Sequence, residues 1–236
     1  MSEHTEAPKL LLASLFVTAL VTAQLLAVKL LVVSVPNGLP VVGSTVLVPA
    51  GVLAYAVTYV ASDCFTELYG RRTATLLVNV GFLMNFVMLG LVWLAIFAPG
   101  SDAGVDPETF ESVLGVSTNV VIGSLVAYLV SQNWDVFVFD RIRQETGEAY
   151  LWARNLGSTM TSQLIDTAIF VVIAFSLAPQ LIGVGDAASN TVLLELLVGQ
   201  YIVKLGIAVL DTPVVYAIVG YLRSNGWAPA VRPAAS

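Results

Sequence analysis

The chain has one cysteine, Cys64, and one histidine, His4. A single thiol excludes an internal disulfide, and one Cys with one His gives no zinc-ligand spacing. With His4 in a polar N-terminal stretch, no imidazole lies in any apolar run, which excludes a rhomboid-like serine protease. No glycine-rich loop ending in Lys-Ser or Lys-Thr is present, so the chain has no phosphate cradle for hydrolysing ATP. Charge is also scarce: Asp, Glu, Lys and Arg make up 11% of the residues, against about 25% in a soluble domain. The formal charge of −6 comes without a basic cluster, so nothing points to nucleic acid. No cofactor is expected.

Apolar residues fill the space left by charge. The chain is 57% hydrophobic, with mean hydropathy +0.86. Its apolar runs exceed ~18 residues and lack alternation, which favours membrane-spanning helices over a barrel. Residues 1–236 therefore read as one all-α integral membrane domain. Six spans are expected, at about 10–35, 46–62, 73–98, 113–139, 153–180 and 190–222. The first run is too long for the core of a signal peptide, so it is expected to be retained. Lys9, Arg71, Arg72, Arg141, Arg143, Arg154, Arg223 and Arg232 fall at the two termini and in the second and fourth loops. The positive-inside rule then places both termini in the cytoplasm of a multi-pass cell-membrane protein. The acidic third loop, with Asp102, Asp106, Glu108 and Glu111, reads as solvated exterior surface. Pro36 to Pro40 reads as a short turn.

Against this background the polar residues stand out. Ser131-Gln132-Asn133-Trp134-Asp135 with Phe139, and Ser162-Gln163-Leu164-Ile165-Asp166 with Phe170, are two copies of S-Q-x-x-D-x-x-x-F. On a helix, Gln and Asp three apart share a face, and the Phe four further on stays near it. Helix five opens with the most polar stretch of any span, from Arg154 to Thr167, as suits a helix lining a wet cavity. Gln24, Lys29, Asn79, Asn85, Gln200, Lys204 and Asp211 complete the membrane-embedded set. Lys204 needs a neutralising partner, either a structural pairing with Asp211 or Asp166 or a place in a site. Pro213 is expected to kink helix six. Amides and carboxylates beside Trp134, Phe139, Phe170 and Tyr201 suit a small flat polar molecule: rings cover its faces and amides read its edge. A carboxylate accepts two adjacent N–H groups, as a guanine-like edge presents them.

Other features allow two readings each. Asp63 and Glu67, four apart at the end of helix two, are either a solvated helix end neutralised by Arg71 and Arg72 or a cation gate. Gly70 suits the helix stop. Ala19, Ala23 and Ala27 form a small-residue stripe that serves either internal packing or docking of a partner. Gly183-Val184-Gly185-Asp186 matches the G-x-G-D of intramembrane aspartyl proteases, but no Tyr-Asp partner exists, and the match is read as chance. A channel is disfavoured because no single ring of charge is apparent.

Asp63 with Glu67-Leu68-Tyr69-Gly70, then Ser131-Gln132-x-x-Asp135, then Trp152-x-Arg154-Asn155-x-x-Ser158-Thr159-x-x-Ser162-Gln163-x-x-Asp166-Thr167-x-x-Phe170, resemble the queuosine precursor transporter family, in the vitamin uptake transporter group. The resemblance runs from the first span to the last. It implies import of 7-deazaguanine compounds such as preQ0 or preQ1, queuosine or archaeosine precursors, for tRNA modification. It also implies a six-helix fold like that of the substrate-binding subunits of energy-coupling-factor transporters. The substrate-binding residues would be Gln24, Asn79, Gln132, Trp134, Asp135, Gln163, Asp166, Phe170 and Lys204, with Asp63 and Glu67 gating the cytoplasmic side. Gln24 departs from the family, which carries Asn near this position in an Asn-x-x-x-x-Lys arrangement. Partners would be the 7-deazapurine and the bilayer, with either a second copy of the chain or an energising module.

Overall fold

The computed structural model describes residues 3–39, 42–101, 103–146 and 151–227. Asp102, Tyr150 and Arg232 lie outside the described residues, as do the side chains of His4, Arg143, Trp152, Arg154 and Asn155. The elements run α1 (Glu3–Leu26), β1 (Leu30–Leu39), β2 (Gly43–Pro49), α2 (Gly51–Tyr69), α3 (Arg71–Phe97), α4 (Pro107–Leu114), α5 (Ser117–Thr146), α6 (Leu151–Val172), α7 (Ala178–Ile182) and α8 (Asn190–Ser224). Residues Ile173–Leu177 form a π-helical turn joining α6 to α7.

Among the described residues, five helical stretches are long and apolar enough to cross a membrane: Glu6–Leu26, Arg71–Phe97, Pro107–Ile142, Gly157–Ile182 and Asn190–Ser224. The second expected span is α2, which begins at Gly51 rather than near residue 46 and is less apolar than these.

The larger correction concerns residues 30–49. Helix α1 stops at Leu26, and the stretch expected to close the first span and open the second forms an antiparallel hairpin. Leu30 pairs with Pro49, Val32 with Leu47 and Ser34 with Thr45, and the register shifts between Ser34 and Leu39. Val32, Val33, Val35, Thr45, Val46 and Val48 are β-branched, and a pleated pair accommodates them better than a helix does. Asn37 and Gly38, within the irregular stretch of β1 between Ser34 and Leu39, take φ of 67° and 69°, the left-handed backbone that a bulge accommodates. Ala50 N–H donates to the Lys29 carbonyl at 2.7 Å and closes the base of the hairpin. Lys29 therefore sits in a bend between α1 and β1, not inside a helical span. Of the expected Pro36–Pro40 turn, Pro36 to Leu39 form the end of β1, and Pro40 lies outside the described residues.

The chain divides into two compact units. One holds Met1–Lys29, Ala50–Ala95 and Val203–Ser236; the other holds Leu30–Pro49 and Ile96–Ile202. Helix α8 contributes to both. In the first unit, Leu12, Phe16 and Leu20 of α1 join Cys64 and Phe65 of α2, Leu77 of α3 and Val219 of α8 in one buried cluster. The alanine stripe lies on the same helix. Ala19, Ala23 and Ala27 are buried, and Gly51 of α2 approaches Ala23 and Ala27 so closely that an added methyl would strike the Ala23 carbonyl. The stripe is a packing face occupied by α2. Gly70 ends α2 with φ 86° and donates to the Thr66 carbonyl at 2.9 Å, as its position suggested.

In the second unit α5 packs along α6. Gly123 of α5 meets Ala174 in the π turn, where any side chain would collide. Asp106 caps α4 by accepting from the Thr109 N–H at 3.0 Å, and Glu108 and Glu111 are exposed, in keeping with a solvated acidic surface. The G-x-G-D stretch is a helix-end turn. Gly183 caps α7 with φ 77°, and the Val184 carbonyl accepts from Asn119 Nδ2 at 2.7 Å. Both facts fit a structural role.

Candidate substrate-binding site

The two S-Q-x-x-D copies meet across the α5–α6 hairpin. Ser131 Oγ donates to Asp166 Oδ1 at 3.2 Å, and Ser162 Oγ donates to Asp135 Oδ1 at 3.2 Å. Each serine thus reaches the carboxylate of the other copy, sharing its one hydroxyl proton with a carbonyl of its own helix, Tyr128 at 3.3 Å for Ser131 and Thr159 at 3.0 Å for Ser162. The local reason is simple: Ser and Asp are four apart in both copies, one helical turn, so both face the partner helix. Ser131 and Ser162 are buried, while Asp135 and Asp166 are half-buried. A hydroxyl donor on a carboxylate is a charge-assisted bond, and in a poorly hydrated helix pair it is expected to orient the acid firmly.

Sequence reasoning quoted both serines without giving them a role; the equal spacing of the two copies was the available signal. The repeat also places its amides differently than expected. Gln132 is exposed on α5, as is Trp134, whose ring lies tilted at 5.9 Å from that of Phe137. Gln163 is half-buried, and its Oε1 is buried with no hydrogen-bond partner. Phe170 is half-buried, edge-on to Phe175 at 5.8 Å. Gln200, in the same unit, is buried with Nε2 unpartnered. Buried amide atoms are nearly always bonded in folded proteins, so these two invite water or a ligand.

The other hydroxyls of α6 need no cavity. Thr161 donates to the Gly157 carbonyl at 2.8 Å, and Thr167 to the Gln163 carbonyl at 2.8 Å. Back-bonding of this kind satisfies hydroxyls within the helix itself, so the polarity of the stretch alone does not mark a wet face. Its two distinctive groups are Gln163 and Asp166.

In the first unit Gln24 is buried, while Asn79 is exposed on α3. Asn85, two turns along α3, is the buried amide, and neither Nδ2 nor Oδ1 has a partner. Of the two asparagines, Asn85 is the stronger ligand-facing candidate. Lys204 is half-buried in α8. Asp63 and Glu67 go separate ways despite sharing a helical face. Glu67 Oε1 accepts from Arg223 Nη2 at 2.9 Å, so α8 supplies the neutralising charge expected from Arg71 and Arg72. That pair is half-exposed and contributes at most about 1 kcal/mol. The carboxyl of Asp63 meets that of Asp211.

Among the described residues, no group of three or more His, Cys, Asp or Glu side chains could hold a metal ion.

Residues 49–218 match the family described as "Putative vitamin uptake transporter". Over 172 residues the chain is 33% identical to a protein of Bacillus subtilis (strain 168) named "Probable queuosine precursor transporter", covering 71% of this chain and 69% of that one. No solved structure matches the chain.

Proposed function

The chain belongs to the vitamin uptake transporter family, and on that premise we propose that it imports 7-deazaguanine bases, such as preQ0 or preQ1, as queuosine or archaeosine precursors. Membership makes it a multi-pass membrane transporter rather than an enzyme. The observation that carries the substrate reading is the reciprocal pairing of Ser131 with Asp166 and Ser162 with Asp135. It holds two carboxylates in fixed orientations beside an unpartnered amide oxygen on Gln163. A carboxylate has about four acceptor positions, so a serine can share it with a ligand. A guanine-like edge offers a ring N–H beside an exocyclic amine, and Asp166 accepts both. Gln163 and Gln132 serve the neighbouring polar positions, and Phe170 or Trp134 covers a ring face. Asp135 and, on the strength of its unpartnered atom, Gln200 complete the set within the second unit. In the first unit Gln24, Asn79 and Lys204, with Asn85 for its unpartnered atoms, are the proposed substrate contacts. Asp63 and Glu67 gate the cytoplasmic side.

In this reading α2 is the sixth span, both termini are cytoplasmic, and the fold is like that of an energy-coupling-factor substrate-binding subunit. The chain works by alternating access. A subunit dependent on an energising module is the rival reading. Its suggested docking stripe, Ala19 to Ala27, is already covered by α2. The decisive experiment expresses the chain in a host unable to make queuosine precursors and supplies preQ0, preQ1 or queuine base. Restored tRNA modification with at least one of them is the expected result. A correctly inserted protein that restores none would overturn the proposal.

A further inference from the structure

In the first unit two carboxyls face each other: Asp63 of α2 and Asp211 of α8 are in hydrogen-bond contact. Ionised carboxylates only accept, so the contact is a bond when one of them carries a proton and a repulsion when neither does. The two acids differ in access. Asp63 is open at the surface of the chain, whereas Asp211 is 6% exposed and its Oδ1 is buried without a partner.

The surrounding charges are distributed as follows. On α2, Glu67 is held by Arg223, and the buried Cys64 adjoins Asp63. On α1, Lys9 lies over the Tyr69 ring at 5.9 Å from its centroid, and Glu6 is one turn before it. On α3, Arg71 and Arg72 are exposed. On α8, Lys204 stands two turns before Asp211. Among the described residues, the arginine that reaches the end of α2 is thus bound to Glu67 and not to Asp63. Two residues beyond Asp211, Pro213 has no N–H for the Val209 carbonyl, so α8 lacks one rung of its ladder there and can bend.

We propose that Asp63 and Asp211 share a proton and that this pair couples proton influx to substrate import. The inference rests on the carrier reading above and adds its driving ion. The buried Asp211 takes the proton from the outward-open state. Its O–H bond breaks as one forms on Asp63, and Asp63 releases the proton to the cytoplasm. The two carboxylates then repel until the next proton arrives. One proton moves inward with each substrate molecule, so one pH unit of gradient supports at most about tenfold accumulation.

The test uses the purified full-length chain in sodium-free liposomes with a labelled 7-deazaguanine base. Two rates are measured: accumulation under an outside-acid gradient, and exchange without one. Wild type is expected to accumulate label under the gradient. In Asp211→Asn the ratio of accumulation to exchange drops about tenfold, and Asp211→Glu restores much of it. Infrared spectra of the same proteins give a reading independent of substrate. A protonated-carboxyl C=O band is expected in wild type at mildly acidic pH, removed by Asp211→Asn and shifted by Asp63→Asn. Lack of that band, or accumulation indifferent to the pH gradient, overturns the proposal. A wild type that exchanges no 7-deazaguanine base defeats the substrate reading instead, and the infrared band still decides whether the pair holds a proton.

Discussion

Asp166→Asn abolishes uptake of 7-deazaguanine bases while the protein still inserts at normal abundance. The amide keeps the shape of the side chain and can still accept from Ser131, now bonded at 3.2 Å, so the α5–α6 pair survives. What disappears is an acceptor for two N–H groups. One carboxylate oxygen becomes an NH₂ that faces a donor on the substrate. A hydrogen bond to a charged group contributes about 1.5–3 kcal/mol, which is roughly ten- to hundredfold in affinity for each bond lost. Labelled uptake well below saturation, beside immunodetection of the protein in the membrane, reads both effects. Normal uptake by the variant would remove Asp166 from the site.

Gly199→Ala destabilises the protein, and Gly206→Ala, seven residues along the same helix, does not. An added Cβ at Gly199 would collide with the Leu47 carbonyl of β2 and press on Val46. The neighbour is backbone fixed by its pairing with Val32, so it cannot turn aside as a flexible side chain could. Overpacking of this kind costs about 1–3 kcal/mol. At Gly206 nothing lies within 4 Å of the added Cβ. There the change gains about 0.5–1 kcal/mol from reduced backbone entropy. Thermal unfolding in detergent is expected to show a lower midpoint for the first variant and an equal or higher one for the second. Equal midpoints would mean that α8 does not rest on the hairpin as described.

Hydropathy made the long helices legible, since an apolar run of that length has few other uses. It could not separate Leu30–Leu39 from the helix before it, because an apolar strand and an apolar helix score alike. The usable signal was finer: β-branched residues on both sides of Asn37-Gly38. The repeated S-Q-x-x-D drew notice because carboxylates are expensive in a bilayer. Its partnership became visible only once α5 and α6 lay antiparallel with each Ser opposite the other copy's Asp. The exposure of Asn79 and burial of Asn85 depend on how α3 is turned, which a nearly uniform apolar helix does not announce. The contact of Asp63 with Asp211 joins positions remote in the chain, and no local pattern foretells it.

The most direct test of the carrier claim uses the purified chain alone in liposomes, with no other protein added, and follows labelled preQ0, preQ1 and queuine across the bilayer. Saturable uptake of at least one base, competed by its unlabelled form and lost in Asp166→Asn, is the predicted result. Tight binding with no passage into the lumen would contradict it and identify the chain as a binding subunit that needs an energising partner.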